Sequence, residues 1–357
     1  MPAHLQVHYD QNRRFSTGFG RSKLFVYQRL TEMLLEDPVL LDLFIAASRP
    51  GQPGNVLLFT AANFLLLQQP DAPLARVHPL MTGKPVDPAV IAPPFRDFLL
   101  ANAPALRTLI AGKTAQFTTP RRGAYVLPMV AHIARLEGGA PVSILEVGCS
   151  VGLNLLFDQW SYDFGSAGRL DNPRSDVCIE CLVEGGSTPL PPSIPTVGRR
   201  TGIDLHLFDI ADPDERRWLL ANLFPDLPQD RALMERALEV RDRVAPELIQ
   251  ADALQVLDGL IDSTPGVVCV LNSFCLYQWP EAAKQALEEL LRRHSRIRPL
   301  HWASIEMPSI LPSKDLPGER NGNRAVEMIH TQYRGGEADM RVVGYADIYA
   351  RWMQWLG

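Results

Sequence analysis

Polar side chains follow the predicted strands in the second half of the chain. Glu146 ends the first strand, Asp204 ends the second, Asp252 follows the third and Asn272 ends the fourth. In open α/β sheets, ligands bind outside the carboxyl ends of the strands, where the strand order reverses. One carboxylate of such a row can accept hydrogen bonds from two ribose hydroxyls, and a second acceptor can take an exocyclic adenine amine. The row therefore predicts a site for a nucleoside-containing ligand.

A loop of small residues, EVGCSVGLN, follows the first strand. Gly148, Ser150 and Gly152 lie where the strand passes into a helix predicted to begin near Leu153. Glycine lets the backbone turn tightly and lets a ligand approach the main chain, and a helix N-terminus offers unpaired N–H groups. Ser150 stands where the dinucleotide fingerprint G-x-G-x-x-G has its second glycine, which disfavours a nicotinamide enzyme.

The loop resembles the first motif, E-x-G-x-x-x-G, of class I S-adenosylmethionine-dependent methyltransferases. The resemblance implies that the loop lies against the methionine part of this cofactor. It also implies that Asp204, or Asp209 in its place, binds ribose, and that Asp252 in QADAL lies by the adenine. The predicted cofactor-binding residues are Glu146, Gly148, Cys149, Ser150, Gly152, Asn154, Asp204, Asp252, Ala253 and Asn272.

Longer segments resemble a bacterial family catalogued as domain of unknown function 2332. They are EVGCSVGLNLLFDQWSYDFG, GRRTGIDLHLFDIADPDERRWLLANLFPD and RWMQWL. Two stretches depart from that family. Its glutamine–threonine–asparagine–glutamate stretch is AQFTTPRRGAY here, and its histidine–glycine–arginine is Tyr349-Ala350-Arg351. Because of the first departure, we do not expect a site role for residues 118–122. The resemblance implies a fold and a cofactor but no particular substrate.

The substrate side of the site is predicted at the fourth and fifth strands. Methyl transfer requires an aligned acceptor lone pair and sometimes a base for the departing proton. Tyr277 and Trp279 are the predicted substrate-binding residues, since aromatic rings can hold a substrate and stabilise a nearby cation; packing of a lid is the alternative. Tyr277 and Glu306 are the predicted catalytic residues. The fourth strand continues as NSFCLY and lacks an asparagine–proline–proline–aromatic loop, which disfavours methylation of nucleic-acid bases.

Structural roles for the same acids stay open at this point. Glu146 could cap the loop by accepting hydrogen bonds from backbone N–H groups. Asp204 and Asp252 could be turn residues or helix caps, which is a common use of aspartate.

Charge and cysteine content exclude several classes of partner. The net charge of −5 gives no basic footprint for nucleic acid. The five cysteines indicate reduced thiols in a cytoplasmic protein, and the pair Cys178 and Cys181 lacks the further ligands that zinc requires. We therefore predict no metal site. We also predict no membrane partner, since the longest apolar runs are too short to span a bilayer. The predicted partner is a small molecule, and the sequence does not determine the oligomeric state.

The candidate site residues at the strand ends require an α/β fold, and the chain of 357 residues is long enough for two domains. We predict an all-helical N-terminal domain, residues 1–138 with helices from Phe15 onward, and a Rossmann-like domain that binds S-adenosylmethionine, residues 139–357. A β-rich insertion covers about residues 161–199, and an aromatic helix is predicted at 348–356. The predicted core strands are 142–147, 201–205, 248–251, 267–271 and 300–305.

The leading functional hypothesis is a methyltransferase that acts on an unidentified small molecule bound between the domains and releases S-adenosylhomocysteine. The alternative is a non-catalytic protein of the same fold, serving as a nucleoside sensor or an interaction scaffold. A nicotinamide enzyme is a third and weaker hypothesis.

Overall fold

The computed structural model describes residues 23–49, 54–308, 310–311 and 325–357. The start of the predicted helical region, from Phe15 to Ser22, lies outside these residues. The chain forms two compact units, one of residues 1–118 and 209–235 and the other of residues 119–208 and 236–357. The unit boundary at residue 118 thus lies upstream of the domain boundary predicted at residue 138.

The described part of the first unit is helical, in agreement with the sequence. Its helices are α1 Phe25–Glu36, α2 Pro38–Ala47, α3 Gly54–Leu66, α4 Pro79–Thr82, α5 Pro88–Ala101, α6 Ala103–Gly112 and α8 Pro213–Ala221. Several helices begin with an aspartate cap followed by proline, as Asp37 at α2 and Asp212 at α8 do. Such a pair satisfies backbone N–H groups and fixes the first helical dihedral angle.

The segment after the second core strand joins the helical unit, which the sequence did not predict. The Asn63 side chain donates to the carbonyl of Ala221 at 3.0 Å, and the Trp218 indole donates to the carbonyl of Thr114 at 3.0 Å. The Asp226 carboxylate accepts hydrogen bonds from the backbone N–H groups of Val26 at 2.8 Å and Tyr27 at 3.0 Å. Asp226 therefore caps α1 from a distant part of the chain.

The second unit is built on a large mixed sheet. Across the sheet, its strands are β5 Leu182–Gly186, β12 Trp352–Trp355, β11 Glu337–Asp347, β10 Ala325–Arg334, β9 Leu300–Glu306, β8 Val267–Ser273, β1 Val142–Val147, β6 Val197–Asp204 and β7 Glu247–Gln250. Helices α7 Gly123–Leu136, α10 Ala253–Ser263 and α11 Glu281–Ser295 belong to this unit. Helix α9, Asp230–Val244, runs from the first unit into the second.

Five neighbouring strands of this sheet are parallel, and they are the five strands predicted as the core. In the order β7, β6, β1, β8, β9 they follow a 3-2-1-4-5 arrangement, and the order reverses between β1 and β8. Every residue of β1 and β9 is buried, as expected for central strands of a covered sheet. Leu257 of α10 and Leu287 of α11 pack in the same apolar cluster as Leu145 and Val270 of the sheet. The three strands β10, β11 and β12 continue the sheet in antiparallel fashion.

The predicted insertion forms a small sheet of its own. Strands β2 Ser161–Asp163, β3 Arg169–Leu170 and β4 Cys178–Glu180 pair in the order β3-β2-β4. Strand β5 of the same insertion pairs with β12 at the edge of the large sheet.

Two predicted helices of this unit are wrong. The segment after the loop, predicted as a helix from Leu153, is a six-residue 3₁₀ helix, Asn154–Gln159, whose Leu155, Leu156 and Phe157 are all buried. Most of this segment is buried, and β2 begins two residues later at Ser161. The predicted C-terminal helix at 348–356 is instead strand β12, because pairing with β11 and β5 outweighs local propensity. Within the described ranges, each helix is too short or too polar to cross a membrane.

We expect Asp226→Ala to lower the free energy of unfolding by about 1–2 kcal/mol, because Leu24, the residue before α1, has no side-chain cap to replace it. Urea denaturation measures this change. Asp97→Ala, which removes an exposed carboxylate of the same unit, is the matched control and should change stability by less than about 0.5 kcal/mol. Equal losses in the two variants would contradict the capping role.

Candidate functional site

Glu146 lies fully buried at the carboxyl end of β1, beside the point where the strand order reverses. Its Oε1 accepts a hydrogen bond from the Asn154 side chain at 2.7 Å. Its Oε2 is buried and has no hydrogen-bond partner among the described residues. Glu146 thus fixes the start of the 3₁₀ helix with one oxygen, while the other accepts no hydrogen bond from the described residues.

The loop after β1 is held by Asp204 of the neighbouring strand β6. The carboxylate of Asp204 accepts from the backbone N–H of Ser150 at 2.8 Å and from that of His206 at 3.0 Å. Ser150 has φ of +53°, a conformation that serine adopts at a cost. The bond from Asp204 helps to stabilise this turn, so the carboxylate predicted to bind ribose also has a structural role.

Both glycines of the loop are required by the protein's own packing. Gly148 has φ of +74°, and a Cβ placed there would lie 2.5 Å from the Cβ of Cys275. Gly152 has φ of +77°, and its Cβ would lie 3.0 Å from the side chain of Leu248. The space beside each glycine is therefore filled by a side chain of the second unit.

Glu306 lies at the carboxyl end of β9 and holds the turn that follows β8. Its Oε1 accepts three hydrogen bonds, from the Asn272 side chain and from the backbone N–H groups of Cys275 and Leu276, each at 2.9 Å. Its Oε2 is buried and has no partner among the described residues. Glu306 therefore repeats the pattern of Glu146, with one oxygen engaged and one left over.

Asn272 has both amide N–H groups and its carbonyl oxygen engaged in this network. Its amide donates to Ser304 at 3.0 Å and to Glu306, and its carbonyl oxygen accepts from the Trp302 indole at 2.7 Å. An amide held at both ends in this way fixes the carboxylate beside it. The structure thus makes Asn272 a positioning residue for Glu306.

Arg122 is the residue that sequence reasoning excluded and the structure brings to the site. It ends a short 3₁₀ helix, Pro120–Arg122, and is 7 % exposed. Its guanidinium lies over the ring of Phe274, 4.5 Å from the ring centroid. Phe274 itself has φ of +54° in the turn that Glu306 holds. The one available sequence signal was a pair of arginines directly before a strongly apolar helix.

The buried charges act on one another. Burial raises the pKa of Glu146 to about 8, with Asp204 adding to the effect and the hydrogen bond from Asn154 and the charge of Arg122 opposing it. Burial likewise raises the pKa of Glu306, against its hydrogen bonds and Arg122. Burial lowers the pKa of Arg122, and the nearby Tyr125, Tyr277, Glu306 and Glu146 act in the opposite direction. At neutral pH, Glu146 is therefore mainly a neutral acid near a cation.

Other predicted site residues make structural contacts of their own. Asp252 is exposed and caps α10 by accepting from the Leu254 N–H at 2.9 Å. Ala253 is the buried first residue of that helix. Asp209 belongs to the first unit and is exposed, accepting from Ala211 N–H at 3.0 Å. Cys149 is buried and packs against Gly202 of β6.

The predicted substrate-side aromatics follow β8. Tyr277 is 46 % exposed, and its hydroxyl accepts from the Gln278 side chain at 2.9 Å. Trp279 is partly buried against the apolar cluster of the sheet. Tyr277 therefore presents part of its ring to solvent near Arg122, whereas Trp279 serves packing.

One group of side chains away from the strand ends has the spacing of a cation site. Asp258, Asp262 and His294 each place one ligand atom within 4.8 Å of the others. Both aspartates are exposed, and the imidazole of His294 already contacts each of them. The three side chains therefore already contact one another through His294.

We expect Gly148→Ala to destabilise the protein more than Gly139→Ala does. Both glycines have positive φ, of +74° and +83°, but a Cβ at Gly139 meets no heavy atom of the described residues within 4 Å. Gly139→Ala should therefore lose about 1–2 kcal/mol from backbone strain alone, while Gly148→Ala adds a clash with Cys275. Urea denaturation compares the two, and equal losses would show that Cys275 does not fill the space beside Gly148.

The comparisons with known proteins place the chain in a family without assigning an activity. One family profile, described as an uncharacterized protein conserved in bacteria, DUF2332, matches residues 10–355. Searches of curated proteins and of solved structures give no match. Since the profile covers nearly the whole sequence, the chain belongs to the DUF2332 family.

Proposed function

We propose that this protein is an S-adenosylmethionine-dependent methyltransferase that acts on a small molecule. The observation that carries the proposal is Glu146 at the end of the first strand, beside the reversal of a 3-2-1-4-5 parallel order. It is a buried carboxyl group, and one of its oxygens has no partner among the residues that the structure describes. Ligands of open α/β sheets bind at this point. The resemblance of the loop to the first methyltransferase motif agrees with the same position.

The residues at the strand ends fit the amino-acid part of this cofactor. Glu146 Oε2 is an acceptor for its ammonium group, and the Ser150 hydroxyl, also buried without a partner among the described residues, is a second polar contact. Arg122 supplies a cation that suits its carboxylate. Asp204 can still accept ribose hydroxyls, because each carboxylate oxygen has more than one lone-pair direction.

When bound, the cofactor supplies an electrophilic methyl group on a sulfonium. The residues of this chain would then position the acceptor and exclude water from the site. An acceptor is expected on the β8 and β9 side of the sheet. Glu306 and Tyr277 lie on that side, away from β6 and β7. The free Oε2 of Glu306 can accept a proton from the acceptor, and its raised pKa makes it a better base than an exposed glutamate.

A sensor that binds the same ligand without catalysis is the second candidate. The six-residue 3₁₀ helix after the loop favours it, because this segment lacks the long helix that normally follows a nucleotide-binding loop. Turnover of a methyl group against small-molecule acceptors would separate the two candidates.

We expect S-adenosylhomocysteine to bind the purified protein and Glu146→Gln to weaken binding at least 10-fold. Glutamine keeps the oxygen that accepts from Asn154 and replaces only the free oxygen by an amide donor. The loss of a buried charged contact is commonly worth about 2–5 kcal/mol. Isothermal titration calorimetry measures the change, and Glu180→Gln, at an exposed glutamate of β4, is the control.

The same titration carries a second readout. An ammonium group favours the ionised form of Glu146, so binding near pH 7 should release about one proton. The release appears as a dependence of the binding enthalpy on the ionisation enthalpy of the buffer, and it should vanish in Glu146→Gln. Absence of binding at millimolar ligand would refute the proposal.

A further inference from the structure

Glu306 has a buried acidic neighbour on the next strand that the sequence did not single out. Glu327 of β10 is the register partner of Glu306 of β9. Residues directly opposite in an antiparallel pair have their Cβ atoms about 4.5–5.5 Å apart and point to the same face. Glu306 is 1 % exposed and Glu327 is 2 % exposed. Two acids are therefore buried side by side on one face of the sheet.

Each of these acids has a buried oxygen without a hydrogen-bond partner among the described residues, Oε2 in Glu306 and Oε1 in Glu327. Burial raises the pKa of both carboxyl groups. Like charges directly opposite each other destabilise a sheet, and buried polar atoms without partners cost further free energy. A pair of this kind is expected to destabilise the fold. A ligand that donates hydrogen bonds and carries positive charge would relieve both the charge repulsion and the missing hydrogen bonds.

The surroundings select the kind of cation. Tyr345 of β11 is the register partner of Glu327, so an aromatic ring continues the row on the same face. Divalent cations such as Mg²⁺ and Ca²⁺ take six or more ligands, mostly oxygens, whereas Glu306 has one oxygen engaged by three donors and only Oε2 without a partner among the described residues. The charge of Arg122 also acts on Glu306 and opposes a dication more strongly than a single positive charge. An ammonium group needs only two or three acceptors and gains from a nearby ring.

We propose that Glu306 and Glu327 together form a subsite for the ammonium group of a small amine. In terms of the proposed function, on which this reading of its purpose rests, the amine is the methyl acceptor: Oε2 of Glu306 takes one proton from the ammonium group, and the freed nitrogen lone pair attacks the methyl group while the sulfur keeps the electrons of the broken carbon–sulfur bond. Glu306 accepts through Oε2 and Glu327 through Oε1, while the hydrogen bonds to Oε1 of Glu306 keep the first carboxylate in place. The subsite is thus distinct from Glu146, which lies on β1 two strands away.

Thermal unfolding of the full chain at pH 7.5 tests the subsite with ethylammonium chloride as probe. We expect ethylammonium to raise Tm by about 2 °C or more at a concentration well above its Kd. Sodium chloride and tetramethylammonium chloride, which donate no hydrogen bond, should leave Tm unchanged. The variants Glu306→Gln and Glu327→Gln should each abolish the rise, whereas the control Glu180→Gln should retain it. Glutamine at 306 keeps an acceptor for its three donors.

Stability without the probe gives an independent readout. A carboxyl group whose pKa is raised on folding contributes nothing to stability below its ordinary pKa, and it lowers stability as the pH rises and the unfolded chain ionises. Glu327→Gln should therefore raise Tm at pH 7.5 relative to the wild type and leave it unchanged at pH 4.

Three outcomes would overturn the subsite. They are a Tm that ethylammonium does not raise, a rise that survives in Glu327→Gln, and a rise produced equally by magnesium chloride. The titration with S-adenosylhomocysteine is separate. If ethylammonium raises Tm and S-adenosylhomocysteine does not bind, the proposed function is refuted and the subsite stands. If S-adenosylhomocysteine binds and ethylammonium does not raise Tm, the subsite is refuted and the proposed function stands.

Discussion

The second unit depends on carboxylates that accept hydrogen bonds from loops at the carboxyl edge of the sheet. Asp204 holds the N–H of Ser150, and Glu306 holds the N–H groups of Cys275 and Leu276. Both loops contain a non-glycine residue with positive φ, at Ser150 and Phe274. Such conformations persist only where the surroundings stabilise them. The acids at the strand ends are therefore structural groups before they are functional ones.

The same edge concentrates groups that are unfavourable in a folded protein. Glu146 and Glu306 each leave an oxygen buried without a partner among the described residues, and Arg122 is buried near both. Because buried polar groups are normally paired, this cluster of exceptions is the feature that supports the proposed binding site. Buried polar atoms without partners cost free energy, which is a common feature of binding sites.

The sequence predicted the sheet better than the site. Alternating short apolar runs located all five parallel strands, because a buried strand leaves a local pattern of β-branched and apolar residues. It failed at 154–159, a short and mostly buried segment, and at 352–355, where pairing with distant strands decides the local structure. It also assigned Asp226 to the second domain, because a cap 200 residues away along the chain leaves no local pattern.

The site was only partly predictable for a related reason. Glu146, Asp204, Asn272 and Glu306 were predicted because they stand at strand ends, which is a local feature. Arg122 was missed because its place in the site depends on how the chain before α7 meets β8. Glu327 was missed because only the β9–β10 register sets it opposite Glu306.

The contact between Gly148 and Cys275 has a consequence for how such sequences can diverge. The thiol of Cys275 donates to the carbonyl of Val147 at 3.2 Å, and its Cβ occupies the place that a side chain at 148 would need. The two positions share one small volume, so a larger residue at 275 presses on the glycine turn. A larger residue at one of these two positions is therefore expected to be tolerated only together with a change at the other. Positions 148 and 275 should consequently covary in size across related chains, although they lie far apart along the sequence.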